Sequence, residues 1–233
     1  MKLLNGAELA EFIKERQAKQ VRALRQAHGI APKLAVVLTG ESVAADRNFK
    51  LKQSYGADIL IDVDVHSVDQ TQAAEIIRQL NSDPAVHGII VQPPAAEIIN
   101  TVAAEKDVEG LSQHAVLEAS APLAIDWLLA GYNVDLRGKH IVIVEQNELA
   151  GELLAKRWQT SGFDAVVIES RAENLAAVIK EADVLICASV TEGLISKETV
   201  KPNAVIVDRG VGPLTVCALF ENVIRAARAT IKV

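Results

Sequence analysis

The stretch Ala204-Val-Ile-Val-Asp-Arg-Gly-Val-Gly-Pro-Leu-Thr215 runs from a short apolar segment straight into a helical pattern that extends from Val216 to Lys232. Residues 204–207 read as a buried strand. Gly210, Gly212 and Pro213 suit a tight turn at a helix N-terminus, where backbone N–H groups without intrahelical partners can hold an anionic or carbonyl ligand. Most Gly-Pro turns are only turns. This one gains weight from three other segments, Asn48-Phe-Lys-Leu-Lys52, Gly88-Ile-Ile-Val-Gln-Pro-Pro94 and Lys106-Asp-Val-Glu-Gly110.

Upstream of this stretch the same alternation of strand and helix recurs. Gly138 precedes the strand 140–144, residues 149–162 are helical, 165–168 form a strand, 174–182 a helix and 184–188 another strand. Short apolar strands separated by helices predict a parallel, Rossmann-like sheet of the nucleotide-binding type. The N-terminal half repeats the pattern. An amphipathic helix with Leu9, Phe12, Ile13, Val21 and Leu24 near one face leads to the strand Leu34–Leu38. A helix carrying Asn48 and Lys52 follows, then a strand or extended segment around Ile59 to Val65, a helix from Thr71 to Leu80 and the strand Gly88–Val91. Residues 122–131 read as a short helix. The fold class is therefore α/β with two domains, an N-terminal αβα domain (1–118 plus 213–233) and a Rossmann-like domain (119–212). The last helix returns to the first domain, with Val216, Leu219, Phe220, Val223 and Ile224 on its packed side.

Composition narrows the classes of function. Half of the 233 residues are hydrophobic but only 3% are aromatic, so the core is built from Ala, Val, Ile and Leu, as in a sheet covered on both faces. A formal net charge of -6 argues against broad binding to nucleic acid or anionic membrane. No apolar run approaches the roughly 20 residues of a membrane span, and the first residues carry charge too early for a signal sequence, so the expected location is the cytoplasm. Cys187 and Cys217 lie in apolar surroundings without CxxC spacing and read as buried thiols. The five histidines form no ligand spacing, so no metal is expected.

Four residues could carry chemistry. Lys52 is either a solvated helix lysine or a proton carrier, and the second role needs a pKa lowered by burial or nearby cations. Gln92 directly follows a strand, at the end where open α/β sheets line their ligand crevice. It can donate and accept hydrogen bonds without adding charge, or simply cap a turn. Asp107 and Glu109 flank Val108, so on an extended segment both point to one side. Such a pair can grip a heterocycle with adjacent N–H donors, or can be an exposed turn.

Taken in order, these segments resemble the bifunctional methylenetetrahydrofolate dehydrogenase/methenyltetrahydrofolate cyclohydrolase family (FolD type) over nearly the whole chain. The family's Tyr-x-x-x-Lys matches Asn48-x-x-x-Lys52, its Val-Gln-Leu-Pro-Leu-Pro matches Val91-Gln-Pro-Pro-Ala95, and its Lys-Asp-Val-Asp-Gly matches Lys106-Asp-Val-Glu-Gly110. Its Pro-Gly-Gly-Val-Gly-Pro-Met-Thr is similar to Asp208–Thr215. The resemblance implies that Lys52 transfers protons, that Gln92 tunes it, and that Glu109 stands where an aspartate binds the pterin. It also implies that Gly212, Pro213 and Thr215 border the folate, and that the protein is a homodimer. The family tyrosine that stacks on the folate falls on Asn48. Phe49 is one position along, about 100° around a helix, and replaces it only if the helix is rotated or distorted.

The family's dinucleotide loop, Gly-x-Ser-x-x-Val-Gly-x-Pro, falls on Val144-Glu-Gln-Asn-Glu-Leu-Ala-Gly-Glu152, so that Val144, Gln146 and Ala150 replace Gly, Ser and Gly. Side chains there obstruct the close backbone approach of a pyrophosphate. Glu145, Glu148 and Glu152 add negative charge unless they point to solvent. At about 4–6 Å and an effective dielectric near 20, each like-charge pair costs on the order of 3–4 kcal/mol before screening. Ser170 and Arg171, beyond Glu169 at the end of the second strand of this half, are the remaining nucleotide-side candidates. NADP or NAD is the cofactor the resemblance implies, and these substitutions weigh against it. Three readings follow: a folate enzyme retaining the cyclohydrolase step, a non-catalytic folate-binding paralogue, and an enzyme keeping both activities.

Overall fold

The computed structural model describes residues 1–39, 47–93, 95–145, 149–187, 196, 198–208 and 211–231. The chain divides into two compact units: Glu11–Ser120 with Val216–Val233, and Met1–Ala10 with Ala121–Thr215. The sequence-based boundaries lie at 118/119 and 212/213; the units divide at 120/121 and 215/216, and the first ten residues join the second unit.

The first unit is built on a three-stranded parallel sheet. Its strands are β2 (Lys33–Thr39), β3 (Asp62–Val68) and β4 (Gly88–Gln92), in the order β3-β2-β4. The central strand explains the layering. Leu34, Val36 and Leu38 point to one face and join the core residues of α1 (Ala7–His28) and α8 (Gly212–Ala229), while Ala35 and Val37 point to the other and meet Ala73, Ile77 and Leu80 of α3 (Gln70–Ser82). This is an αβα arrangement, and the last helix does return to it. Leu219, Phe220, Val223 and Ile224 are buried, and the Phe220 ring stacks on Tyr55 with centroids 5.1 Å apart.

Two expectations need correction here. Phe12 is 67% exposed, because the buried stripe of α1 runs through Ala10, Ile13, Gln17, Val21 and Leu24. At about 100° per residue, Phe12 lies roughly 140° from the centre of that stripe. Residues 59–61 are not strand. They close α2 (Arg47–Asp58), with Leu60 in the left-handed region at φ 65°, and β3 begins only at Asp62.

The second unit carries a five-stranded parallel sheet in the order β1-β8-β7-β5-β6. β5 (His140–Glu145), β6 (Asp164–Glu169), β7 (Val184–Ile186) and β8 (Val205–Val207) are the expected strands, connected by α6 (Leu149–Thr160) and α7 (Leu175–Glu181). The strand β1 (Lys2–Leu4) is an addition to the sequence reading; it pairs with β8, Lys2 opposite Val205. Val142, Val144, Leu185, Cys187 and Ile206 pack with Leu175 and Ile179 of α7. Within this unit α6 is tied to α5 (Ser120–Gly131) by Trp158 Nε1 donating to Asp126 at 3.0 Å and by Arg157 pairing with the same carboxylate at 2.8 Å. A fourth short helix, α4 (Ala96–Ile99), follows β4 in the first unit. Among the described residues no helix is long and apolar enough to cross a membrane.

Candidate active site

In the first unit the strand order turns back at β2. The chain leaves β2 for β3 on one side and returns to β4 on the other, and in open α/β sheets ligands bind beyond the C-terminal strand ends at such a reversal. Gln92 is the last residue of β4, and its backbone carbonyl lies 3.5 Å from the hydroxyl of Thr39, the last residue of β2. The side-chain Oε1 of Gln92 is buried and has no hydrogen-bond partner among the described residues. An acceptor left this way costs about 1–3 kcal/mol, and a donor arriving with a ligand recovers it.

Lys52 lies in the middle of α2, half-buried, and its charge reaches the Glu109 carboxyl. Glu109 keeps part of its surface open but is closely surrounded by protein atoms. Burial pushes its pKa above the usual carboxylate range, the Lys52 charge pulls it down, and the neighbouring Asp107 charge pushes it up again. The structure therefore brings Lys52 and Glu109 into electrostatic contact.

Asp107 behaves differently from the paired grip the sequence allows. It is buried, and its two carboxylate oxygens accept the backbone N–H groups of Gly110 at 2.9 Å and Ser112 at 2.8 Å. It anchors the loop, and Glu109 is the acid of the pair whose carboxyl the Lys52 charge stabilises. Gly110 is required at its position: φ is 72°, and a Cβ would stand 2.6 Å from the backbone of Ala119. Lys106 is likewise structural, its Nζ donating to the carbonyls of Leu80 and Asp83 at 2.9 and 2.7 Å and so closing the end of α3.

Asn222 is a neighbour of the candidate site to which the sequence pattern does not point. It is fully buried on α8, and its Nδ2 donates to the carbonyls of Val108 at 2.9 Å and Glu118 at 2.8 Å. It thus pins the segment bearing Glu109 from both sides. The one signal in the sequence is the polar pair Glu221-Asn222 interrupting the apolar run from Cys217 to Ile224.

Asp107 and Glu109 also border a narrow cleft with Ile89, Val91, Ile99 and Leu111. A wider, shallow groove of about 510 Å³ lies along α2 and β3, lined by Lys50, Gln53, Ser54, Asp62 and Val63; none of the candidate residues borders it, so its size does not make it the site. Asn48 is the second residue of α2, and its side chain lies outside the described residues. Phe49 is only 7% exposed and packs in the same core cluster as Leu38 and Phe220. The rotation that would offer its ring to a ligand is absent, because that ring is already buried in the apolar layer.

In the second unit Gly212 and Pro213 are exposed in the first turn of α8, and Thr215 is half-buried with its hydroxyl 3.4 Å from the Val211 carbonyl. Of the nucleotide-side candidates, Val144 is not a lining residue: it is 2% exposed and belongs to the core under α7. Gln146 lies outside the described residues, as does Glu148. Ala150 is half-buried in the first turn of α6, Ser170 donates its backbone N–H to the Glu145 carbonyl at 2.7 Å, and Arg171 is exposed. Glu152 and Glu169 face solvent. Glu145 does not: it is 8% exposed, and its Oε1 accepts the Gly151 N–H at 2.6 Å.

Two family models cover the chain: Tetrahydrofolate dehydrogenase/cyclohydrolase, catalytic domain, over residues 4–109, and the NAD(P)-binding domain of the same family over residues 119–211. The bifunctional protein FolD of Geobacillus kaustophilus is 30% identical, with 97% of each chain covered. The solved structure of the bifunctional FolD methylenetetrahydrofolate dehydrogenase/cyclohydrolase from Campylobacter jejuni is similar at 25% identity and a TM-score of 0.88, covering 99% of this chain and 100% of that one. The FolD of Trypanosoma brucei, solved with NADP and an inhibitor, shares the fold at 19% identity and a TM-score of 0.88, covering 99% of this chain and 98% of that one.

Proposed function

The chain belongs to the tetrahydrofolate dehydrogenase/cyclohydrolase family, and from that premise we propose that it interconverts one-carbon forms of tetrahydrofolate by the cyclohydrolase step. Water adds to the electrophilic methenyl carbon of 5,10-methenyltetrahydrofolate. The ring then opens to 10-formyltetrahydrofolate, and one proton is released. Lys52 moves the proton, Gln92 orients it and the water through its amide, and Glu109 accepts hydrogen bonds from the pterin. The observation that carries this reading is the meeting, in one unit, of the Lys52 charge and the enclosed Glu109 carboxyl. The unpartnered Gln92 Oε1 at the end of β4 in the same unit supports it. All three residues lie within residues 11–120, and the step requires no nucleotide.

The experiment follows the absorbance decay of methenyltetrahydrofolate near neutral pH. The parent protein accelerates the decay, and Lys52→Met lowers that acceleration by at least about 100-fold, the lower range for a positioned proton-transfer group. Equal rates for parent and variant would remove the catalytic reading.

A second reading, a folate binder without chemistry, is favoured by one observation. Asn48 stands where the family has its stacking tyrosine, and the neighbouring Phe49 is committed to the core. Thermal stabilisation by a folate without turnover would establish it. A homodimer in the cytoplasm completes the proposal, and light scattering of the purified protein tests the dimer.

A further inference from the structure

The five-stranded sheet turns back at β5. The chain leaves β5 for β6 on one side and returns to β7 on the other. In such sheets a dinucleotide lies across the C-terminal ends of the strands at this point, with its phosphates against the free N–H groups of the next helix. Here β5 ends in Glu145 and α6 begins at Leu149.

The Glu145 side chain is turned inward. It is 8% exposed, and its Oε1 accepts the N–H of Gly151, in the first turn of α6, at 2.6 Å. A Cβ at Gly151 would stand 2.5 Å from Cδ of Glu145 and 2.6 Å from its Oε1, so the carboxylate occupies the close-approach space that this glycine leaves. We propose that Glu145 is an internal anion in the phosphate's place, and that the unit is closed to dinucleotides by its own side chain. A phosphate oxygen and a carboxylate oxygen cannot both take that donor, and their charges repel at hydrogen-bond separation. The residues present therefore do not fit the cofactor implied by the NAD(P)-binding family model. The inference stands on the second unit alone and does not depend on the hydrolase reading.

Isothermal titration of the full chain with NADP, with NAD and with inorganic pyrophosphate tests it. The parent shows no saturable binding of either dinucleotide at millimolar concentration. Glu145→Ala binds pyrophosphate at least roughly tenfold more tightly than the parent, because the helix start is vacated. Saturable binding of NADP or NAD by the parent overturns the proposal, and so does a folded Glu145→Ala with the parent's pyrophosphate affinity. Should that variant fail to fold, Glu145→Gln keeps the size and an acceptor but loses the charge. It too must gain pyrophosphate affinity, and no gain is a negative result. The methenyltetrahydrofolate assay is run separately without nucleotide, so a failure of the hydrolase reading and a failure of this one are told apart.

Discussion

Leu60 has φ 65° at the end of α2, a conformation that costs a side-chain-bearing residue on the order of 1 kcal/mol or more. The hydrogen bonds explain why it is held there. The Ile61 N–H reaches back to the Gly56 carbonyl at 2.8 Å and the Leu60 N–H to the Ala57 carbonyl at 3.2 Å, the double closure that favours glycine at the left-handed position. The Leu60 side chain is 40% exposed and loses little when removed. Leu60→Gly is therefore expected to stabilise the protein by about 0.5–1 kcal/mol, read as a higher urea midpoint with an unchanged slope. A lower midpoint would show that the side chain packs better than its exposure suggests. The apolar pattern marks Ile59 and Ile61 as buried but says nothing of the turn between them, so the extended reading of 59–65 holds from Asp62 onward and fails in backbone at 59–61.

At the scale of elements, β2 and β4 are joined at their starts by His87. Its backbone N–H donates to the Lys33 carbonyl at 3.0 Å, and its Nδ1 accepts the Lys33 N–H at 3.3 Å. Acceptance requires a neutral ring. Burial, helped by the Lys106 charge, holds the His87 pKa below the usual value of about 6.5. The unfolded chain therefore takes up this proton first as pH falls. The stability from His87 is fully present above about pH 6.5 and is lost as pH drops through the lowered folded value. Urea midpoints measured downward from neutral pH should fall, and His87→Asn, which offers a neutral acceptor at the same reach, should flatten that dependence. An identical slope in the variant would place the acid sensitivity elsewhere.

At the scale of the first unit, Glu109 depends on three separate parts of the chain. Asp107 folds its own loop, Asn222 of α8 holds that loop at the Val108 and Glu118 carbonyls, and Lys52 of α2 supplies the opposing charge. Because burial raises the Glu109 pKa, the folded state holds this proton more tightly than the unfolded one. The contribution to stability is present below the unfolded value and is lost as pH rises through the folded one. Above the unfolded value the carboxyl is thus kept at a cost to stability, as expected of a group retained for function. Glu109→Gln should stabilise the ligand-free protein at neutral pH while weakening folate binding by roughly 10- to 100-fold, the range for a lost charge-assisted hydrogen bond. It should also remove the acid limb of the binding profile. Denaturation and folate titration of the same variant check both signs, and tighter folate binding would contradict the assigned role.

The α/β class, most element positions, the return of the last helix and the family were all legible in the linear sequence. Each rests on a local period or a short motif: apolar strands alternating with amphipathic helices, glycines at strand-to-helix turns, four segments in the family's order. What only the folded chain decided is where side chains point when the deciding partner is distant. Phe12 is apolar yet exposed, Phe49 is held in the core rather than at a ligand, and Asn222 holds a loop more than a hundred residues away. Glu145, whose charge the sequence displays, turns inward to the Gly151 N–H rather than out to solvent. The physical reason is common to all four. Periodicity and propensity are properties of neighbours along the chain, whereas the burial of one side chain and the partner of one polar atom are set by what the fold brings beside it.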